Sequence, residues 1–317
     1  MTAASLPFDG KAGRDTFARR LSTGLYRRPW LVLLLLLTPP LLWLGIIYLG
    51  SLFALLLQSF FYIDDFTGQV VRELTLNTYA ELLHPANLDI ILRTAVMAAL
   101  VTIVCGLIAF PLAYYMARYT TARSKAIFYL AVMLPLWSSY LVRVYAWKLI
   151  LAKEGVITWF LGKIGLLGVL DAILGLPVVG GPSLSSSYIG TAIVFIYIWM
   201  PYMILPVQAA LERVPRSLID ASADLGDRPG GTLRRIILPL AIPGVAAGSI
   251  FTFSLTLGDY IIPTIVGTSR PFIGQVVNSH QGVAGNIPLA AAFGVVPIAI
   301  MGIYLALAKR LGAFHAL

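Results

Sequence analysis

Long apolar runs alternate with short polar and charged stretches along this chain. Six runs exceed about eighteen residues, enough to cross a hydrocarbon core of about 30 Å at about 1.5 Å per residue. They fall at about 30–57, 90–116, 127–151, 188–211, 239–265 and 288–308. In lipid, backbone N–H and C=O groups must bond within their own segment, so helices are expected. The predicted fold class is all-α, a polytopic membrane bundle of about six transmembrane helices. Pro39-Pro40 predicts a kink in the first span. Pro111, Pro135, Pro201, Pro206 and Pro297 predict bends or breaks in others.

Composition agrees with the pattern. Mean hydropathy is +0.86, and only 12% of the 317 residues are charged, against about a quarter in soluble domains. The single cysteine, Cys105, lies in an apolar run. It rules out an intrachain disulfide and a cysteine-based zinc site, and reads as a small packed residue. The basic segment Lys11 to Arg28 leads into Leu31 to Leu37 like a signal peptide. The apolar run then continues to Leu57, too far for one, so it reads as a retained first span behind a cytoplasmic tail, residues 1–29.

The net charge of +9 is placed by orientation, with no sign of nucleic-acid binding. With the N-terminus inside, the tail, second loop, fourth loop and C-terminal end hold sixteen of the 23 basic residues. The outer loops hold Arg72, Lys153, Lys163 and Arg270. This bias predicts a multi-pass inner-membrane protein with both termini cytoplasmic. The outer loop 58–89 is acidic and reads as a solvated loop, a partner surface or an attractor of cations. Gly155 to Leu170 reads as a short helix on the interface.

The polar stretch 212–238 carries the chemistry. Pro215 suits a first helical turn, and Ser217 and Asp220 have capping-box spacing. Leu218, Ala221 and Leu225 share one helix face. Gly226 suits a left-handed terminus. Pro229 opens a second short helical stretch, and Pro239 opens the fifth span. The expectation is a compact helix at the membrane surface that seats in a groove of a soluble protein.

Here a resemblance becomes specific. Asp220-Ala221-Ser222, Gly226, Ile236, Leu238 and Pro239 resemble the EAA loop of permease subunits of binding-protein-dependent ABC importers. Asp replaces Glu and Ser replaces the second Ala of that pattern. Leu134 to Trp147 and Gly258 to Pro263 resemble the third and fifth spans of spermidine/putrescine permeases. The resemblance covers about residues 90–308. It implies a type I importer permease core with a coupling loop at 212–238. It also implies a second homologous permease, two ATP-binding subunits and a periplasmic solute-binding protein as partners, within membrane lipid. The implied cargo is a polyamine such as spermidine or putrescine, with opines, amino-acid-like or other small solutes as alternatives.

No Gly-x-x-x-x-Gly-Lys-Ser/Thr sequence occurs; Gly162-Lys163 is followed by Ile164. The chain is expected to be no enzyme and to bind no cofactor, with ATP and Mg held by a partner ATPase. His84, His280 and His315 lack a nearby nucleophile motif, so neither a catalytic nor a metal site is expected. An ion-coupled secondary transporter would need midplane carboxylates and an inverted repeat; only Asp259 offers itself.

Arg143 and Asp259 lie within or at the mouth of apolar spans, where an unpaired charge costs about 3 kcal/mol. Either they neutralise each other, or they line the solute path. Tyr140, Arg143 and Trp147 share a helical face. Tyr140, Trp147, Trp199 and Tyr260 are the aromatic candidates for contact with a cationic solute.

Overall fold

The computed structural model describes residues 26, 28–64, 66–177 and 180–310. The basic tail lies outside them except for Tyr26, Arg28 and Pro29, and His315 lies outside them altogether.

The first unit, residues 1–57, is described by its helix alone. It runs as α1 (Pro29–Leu42), a π-helical stretch Trp43–Leu49 and α2 (Gly50–Gln58). The adjacent Pro39 and Pro40 remove two N–H donors. The chain answers with the wider π turn directly after them, where a kink was expected.

The second unit begins with a small antiparallel ladder, β1 (Tyr62–Ile63) against β2 (Val70–Val71), with Tyr62 opposite Val71. Asp64 closes its turn. The Thr67 backbone N–H, the Thr67 hydroxyl and the Phe66 N–H all bond its carboxyl and hold it below the usual carboxylate range. After α3 (Asn77–Leu82) come the long helices α4 (Pro85–Arg118), α5 (Ala122–Trp137), α6 (Tyr140–Ile150), α9 (Tyr188–Arg213), α12 (Leu238–Gly258) and α15 (Ile287–Arg310). Short helices α7 (Val156–Lys163) and α8 (Leu167–Leu174) stand where one interfacial helix was expected. Gly165, at φ +75°, turns the chain between them.

The core is the packing of α9 against α4 and α12. On α4, Met97, Val101, Cys105, Ala109 and Ala113 recur every fourth residue and are all buried. This narrow stripe lets α9 approach and bury Phe195, Ile198, Met203, Val207 and Leu211. On α12, Gly244 and Gly248 play the same part. A Cβ at Gly244 would stand 2.6 Å from the Pro206 carbonyl oxygen, and one at Gly248 would stand 2.7 Å from Met203 Sδ.

Two expected spans differ in shape. The third is not continuous: α5 and α6 meet at 96° across Ser138-Ser139. Pro135 alone would bend the helix. The sharper break forms because the Ser138 N–H and Oγ both donate to the Pro135 carbonyl, closing the end of α5 locally. The fifth helical run begins earlier and ends earlier than expected, spanning Pro229–Gly258. A π turn at Leu233–Ile237 carries the helix past Pro239, which donates no N–H. Asp259 is extended, and α13 (Ile261–Ile265) is a separate helix, followed by α14 (Ile273–Gly282).

Replacing Gly244 with Leu should destabilise the chain by about 1–3 kcal/mol through overpacking between α9 and α12. Thermal unfolding in detergent checks this; an unchanged melting temperature would mean that the two helices are not in close contact.

Candidate functional site

Two clusters hold the residues singled out in the sequence. The first is the polar loop. Its helix, α10 (Arg216–Asp224), begins directly behind Pro215, whose φ of −64° and ψ of 137° hold an extended flank. No side chain caps this start, so the expected Ser217–Asp220 box is absent; Ser217 already lies inside the first turn. The end follows expectation. Gly226 takes φ +78°. Its N–H donates to the Ala223 carbonyl at 2.9 Å, and the Asp227 N–H donates to the Ser222 carbonyl at 3.0 Å.

Ser222 is buried, and its hydroxyl shares a 2.9 Å hydrogen bond with Thr232. Thr232 belongs to α11 (Pro229–Thr232), so this bond ties α10 to the start of the next long helix. Serine in place of alanine therefore has a structural reason here. Beside it on the helix lie Leu218 and Ala221, and at its C-terminal end Leu225, all exposed, Leu225 to 88%. Together with Ser222, Gly226 and Ile236 they line a shallow groove of about 470 Å³. Asp220 is exposed outside it; Leu238 and Pro239 lie exposed at the start of α12.

The flank before α10 is held by residues that local sequence reading does not reveal. Arg118, the last residue of α4, donates from Nη2 to the carbonyls of Leu211 at 3.1 Å and Val214 at 2.9 Å. Both carbonyls belong to the closing turn of α9, where a helix lacks internal donors. A cation there also meets the negative end of the helix dipole. In the same turn, Glu212 Oε1 accepts from Lys125 at 2.6 Å, Gln208 at 3.0 Å and Tyr129 at 3.1 Å. The sequence signal was the basic run Arg118, Arg123 and Lys125, which also fits simple membrane orientation.

The second cluster lies at the junction of α6, α9 and the α12–α13 link. Tyr140 stacks on Trp199 with ring centroids 6.0 Å apart, and Trp199 meets Tyr202 edge-on at 5.8 Å. Trp147 leans on Tyr197 at 5.1 Å. Tyr260, next to Asp259 in sequence, is exposed. Asp259 and Arg143 form no ion pair. The Asp259 carboxylate is taken by the Tyr140 hydroxyl and by the backbone N–H groups of Ile261 at 2.7 Å and Ile262 at 3.0 Å. It caps α13 and fastens α6 to it. The Arg143 guanidinium has no hydrogen-bonding partner among the described residues, and its Nε and Nη1 are sealed from solvent. The Trp199 Nε1 is likewise buried without an acceptor.

The profile of the family described as binding-protein-dependent transport system inner membrane component matches residues 109–313. The chain is 59% identical to the inner membrane ABC transporter permease protein YdcU of Escherichia coli K12, over 94% of this chain and 95% of that protein. It is 27% identical to the spermidine/putrescine transport system permease protein PotB of Haemophilus influenzae, over 70% of this chain and 74% of that one. In fold it is similar to a chain from the crystal structure of a bacterial ABC transporter involved in the import of the acidic polysaccharide alginate. The TM-score is 0.69 at 16% identity, covering 92% of this chain and 99% of the other.

Asp259→Ala should lower stability by about 1 kcal/mol or more, as loss of a helix cap does, and Asp259→Asn by less because its carbonyl still accepts. Thermal unfolding of the two variants side by side checks the ranking; equal effects would remove the capping role.

Proposed function

The chain belongs to the family of binding-protein-dependent transport system inner membrane components, and from that premise we propose that α10 seats on a separate ATP-hydrolysing subunit and that the solute is a small amine of the spermidine/putrescine type. The observation that carries the docking role is the face of Leu218, Ala221 and Leu225. These apolar side chains stand exposed on a helix that the buried Ser222–Thr232 bond fastens to α11. Apolar residues on a rigid, protruding element are what a partner's groove buries.

In this reading both termini and α10 face the cytoplasm. Arg118, Arg123, Lys125, Arg213, Arg216, Arg228, Arg234 and Arg235 all sit in the segments that would lie there. The working core is residues 90–308, with the coupling loop at 212–238 and a separate first span at 30–57. A second homologous permease completes the path, two ATP-binding subunits drive it, and a periplasmic binding protein delivers the solute. ATP and Mg stay on the hydrolysing subunits, and this chain does no covalent chemistry.

The ring faces of Tyr140, Trp199, Tyr202 and Tyr260 suit an alkylammonium group. The likeness to PotB supports the same class. One observation favours a second reading: the unpartnered Arg143 would meet a carboxylate, as on an amino-acid-like solute.

Uptake of labelled spermidine should be lost on deletion of the chain, and an excess of unlabelled putrescine should compete with it where amino acids do not. Unchanged spermidine uptake with lost amino-acid uptake would overturn the polyamine assignment and favour the second reading.

A further inference from the structure

Among the long helices, α5 is anchored differently from the core. None of its residues is buried, whereas α9 buries residues along its whole length. Apolar packing on α5 is limited to half-buried side chains such as Phe128 and Val132 against the core. Specific contacts near its two ends add to it. At one end, Lys125 and Tyr129, one turn apart on the same face, both reach Glu212 Oε1 on α9. At the other end the chain breaks at Ser138-Ser139 into α6, whose Tyr140 is bonded to Asp259 and stacked on Trp199.

Glu212 has no helical reason to be where it is. It stands in the last turn of α9, where a negative charge opposes the helix dipole. Its carboxylate instead collects three donors on one oxygen: Lys125, Gln208 and Tyr129. Gln208 is fully buried and sits one turn below on the same helix, so it fixes the direction of the Glu212 side chain. The Lys125 and Glu212 side chains are each 31% exposed. An isolated pair at that exposure would be weak. Convergence of three donors and an oriented acceptor makes this one a specific tie.

We propose that Glu212 is a positioning residue for transport: it latches α5, and through it α6, to the end of α9 that carries α10. Motion imposed on α10 then reaches the Tyr140–Trp199 cluster by two routes, the packed core and the latched α5. The proposal rests on the docking role of α10. α5 has 16 residues, so at about 1.5 Å each it carries that motion about 24 Å.

The test uses the assembled importer with spin labels on Trp137→Cys, at the far end of α5, and Ala223→Cys, on α10 away from the docking residues. Trp137 is 79% exposed and Ala223 is exposed as well, so both accept a label, while Cys105 is buried. Without nucleotide, the distance between the labels should be single and narrow. Glu212→Ala should broaden it, with ATP hydrolysis by the complex retained, and Lys125→Ala should do the same from the α5 side. The exchange Glu212→Lys with Lys125→Glu should restore the narrow distance, which a general packing defect would not allow. A narrow distance in both single variants would overturn the latch. If Glu212→Ala fails to assemble, Lys125→Ala and Tyr129→Phe report on the same bonds. The latch is read without nucleotide. If nucleotide moves nothing in the wild-type chain, the docking role fails while the latch stands; a narrow variant distance sinks the latch alone.

Discussion

A helix that ends within protein leaves carbonyl groups without donors, and the end of α9 is where this matters most. Arg118 answers two of those carbonyls from the tip of α4. The chain then runs extended through Val214 and Pro215 straight into α10. If that grip failed, the core could still pack, but α10 would hang from a frayed end. Because it holds, the exposed helix is a rigid projection of the most buried helix in the molecule.

The downstream flank obeys the same logic with other groups. Ser222 and Thr232 share a buried hydrogen bond, and Asp227 approaches Arg235 at 3.5 Å. α10 is therefore tied on one side to α9 and α4 and on the other to the helical run that begins at Pro229. Those elements are themselves brought close by the small stripe on α4 and by Gly244 and Gly248 on α12. Close approach of backbones at these small residues, with Phe195, Ile198 and Met203 filling the space beside them, gives a stiff unit. Function as an inner-membrane transport component asks for such a unit, since force applied at one end has to arrive at the other.

Much of this was legible in the chain. The spans follow from hydropathy, because apolar length and a spanning helix are nearly the same statement. The form of α10 followed from short-range signals, Pro215 before it and Gly226 after it, which act through local backbone geometry. Its missing cap box shows the limit: Ser217 had the right spacing, but the helix starts behind Pro215, two residues sooner. The 96° break was only half legible, since Pro135 announces a bend and the serines decide its size. Tertiary pairing was not legible at all. Arg143 and Asp259 invited an ion pair on charge alone, yet Asp259 found Tyr140, 119 residues away, and its own helix start. Glu212 and Tyr129 are 83 residues apart, and no periodicity links them.

The central claim is that α10 receives mechanical work from a separate ATP-hydrolysing subunit. Its most direct test places a photo-crosslinking residue at Ala221 in native membranes and identifies what is captured. The account predicts a single dominant adduct to a cytoplasmic ATP-hydrolysing subunit. Capture of a periplasmic protein, or labelling of Ala221 by a reagent confined to the periplasmic side, would contradict it.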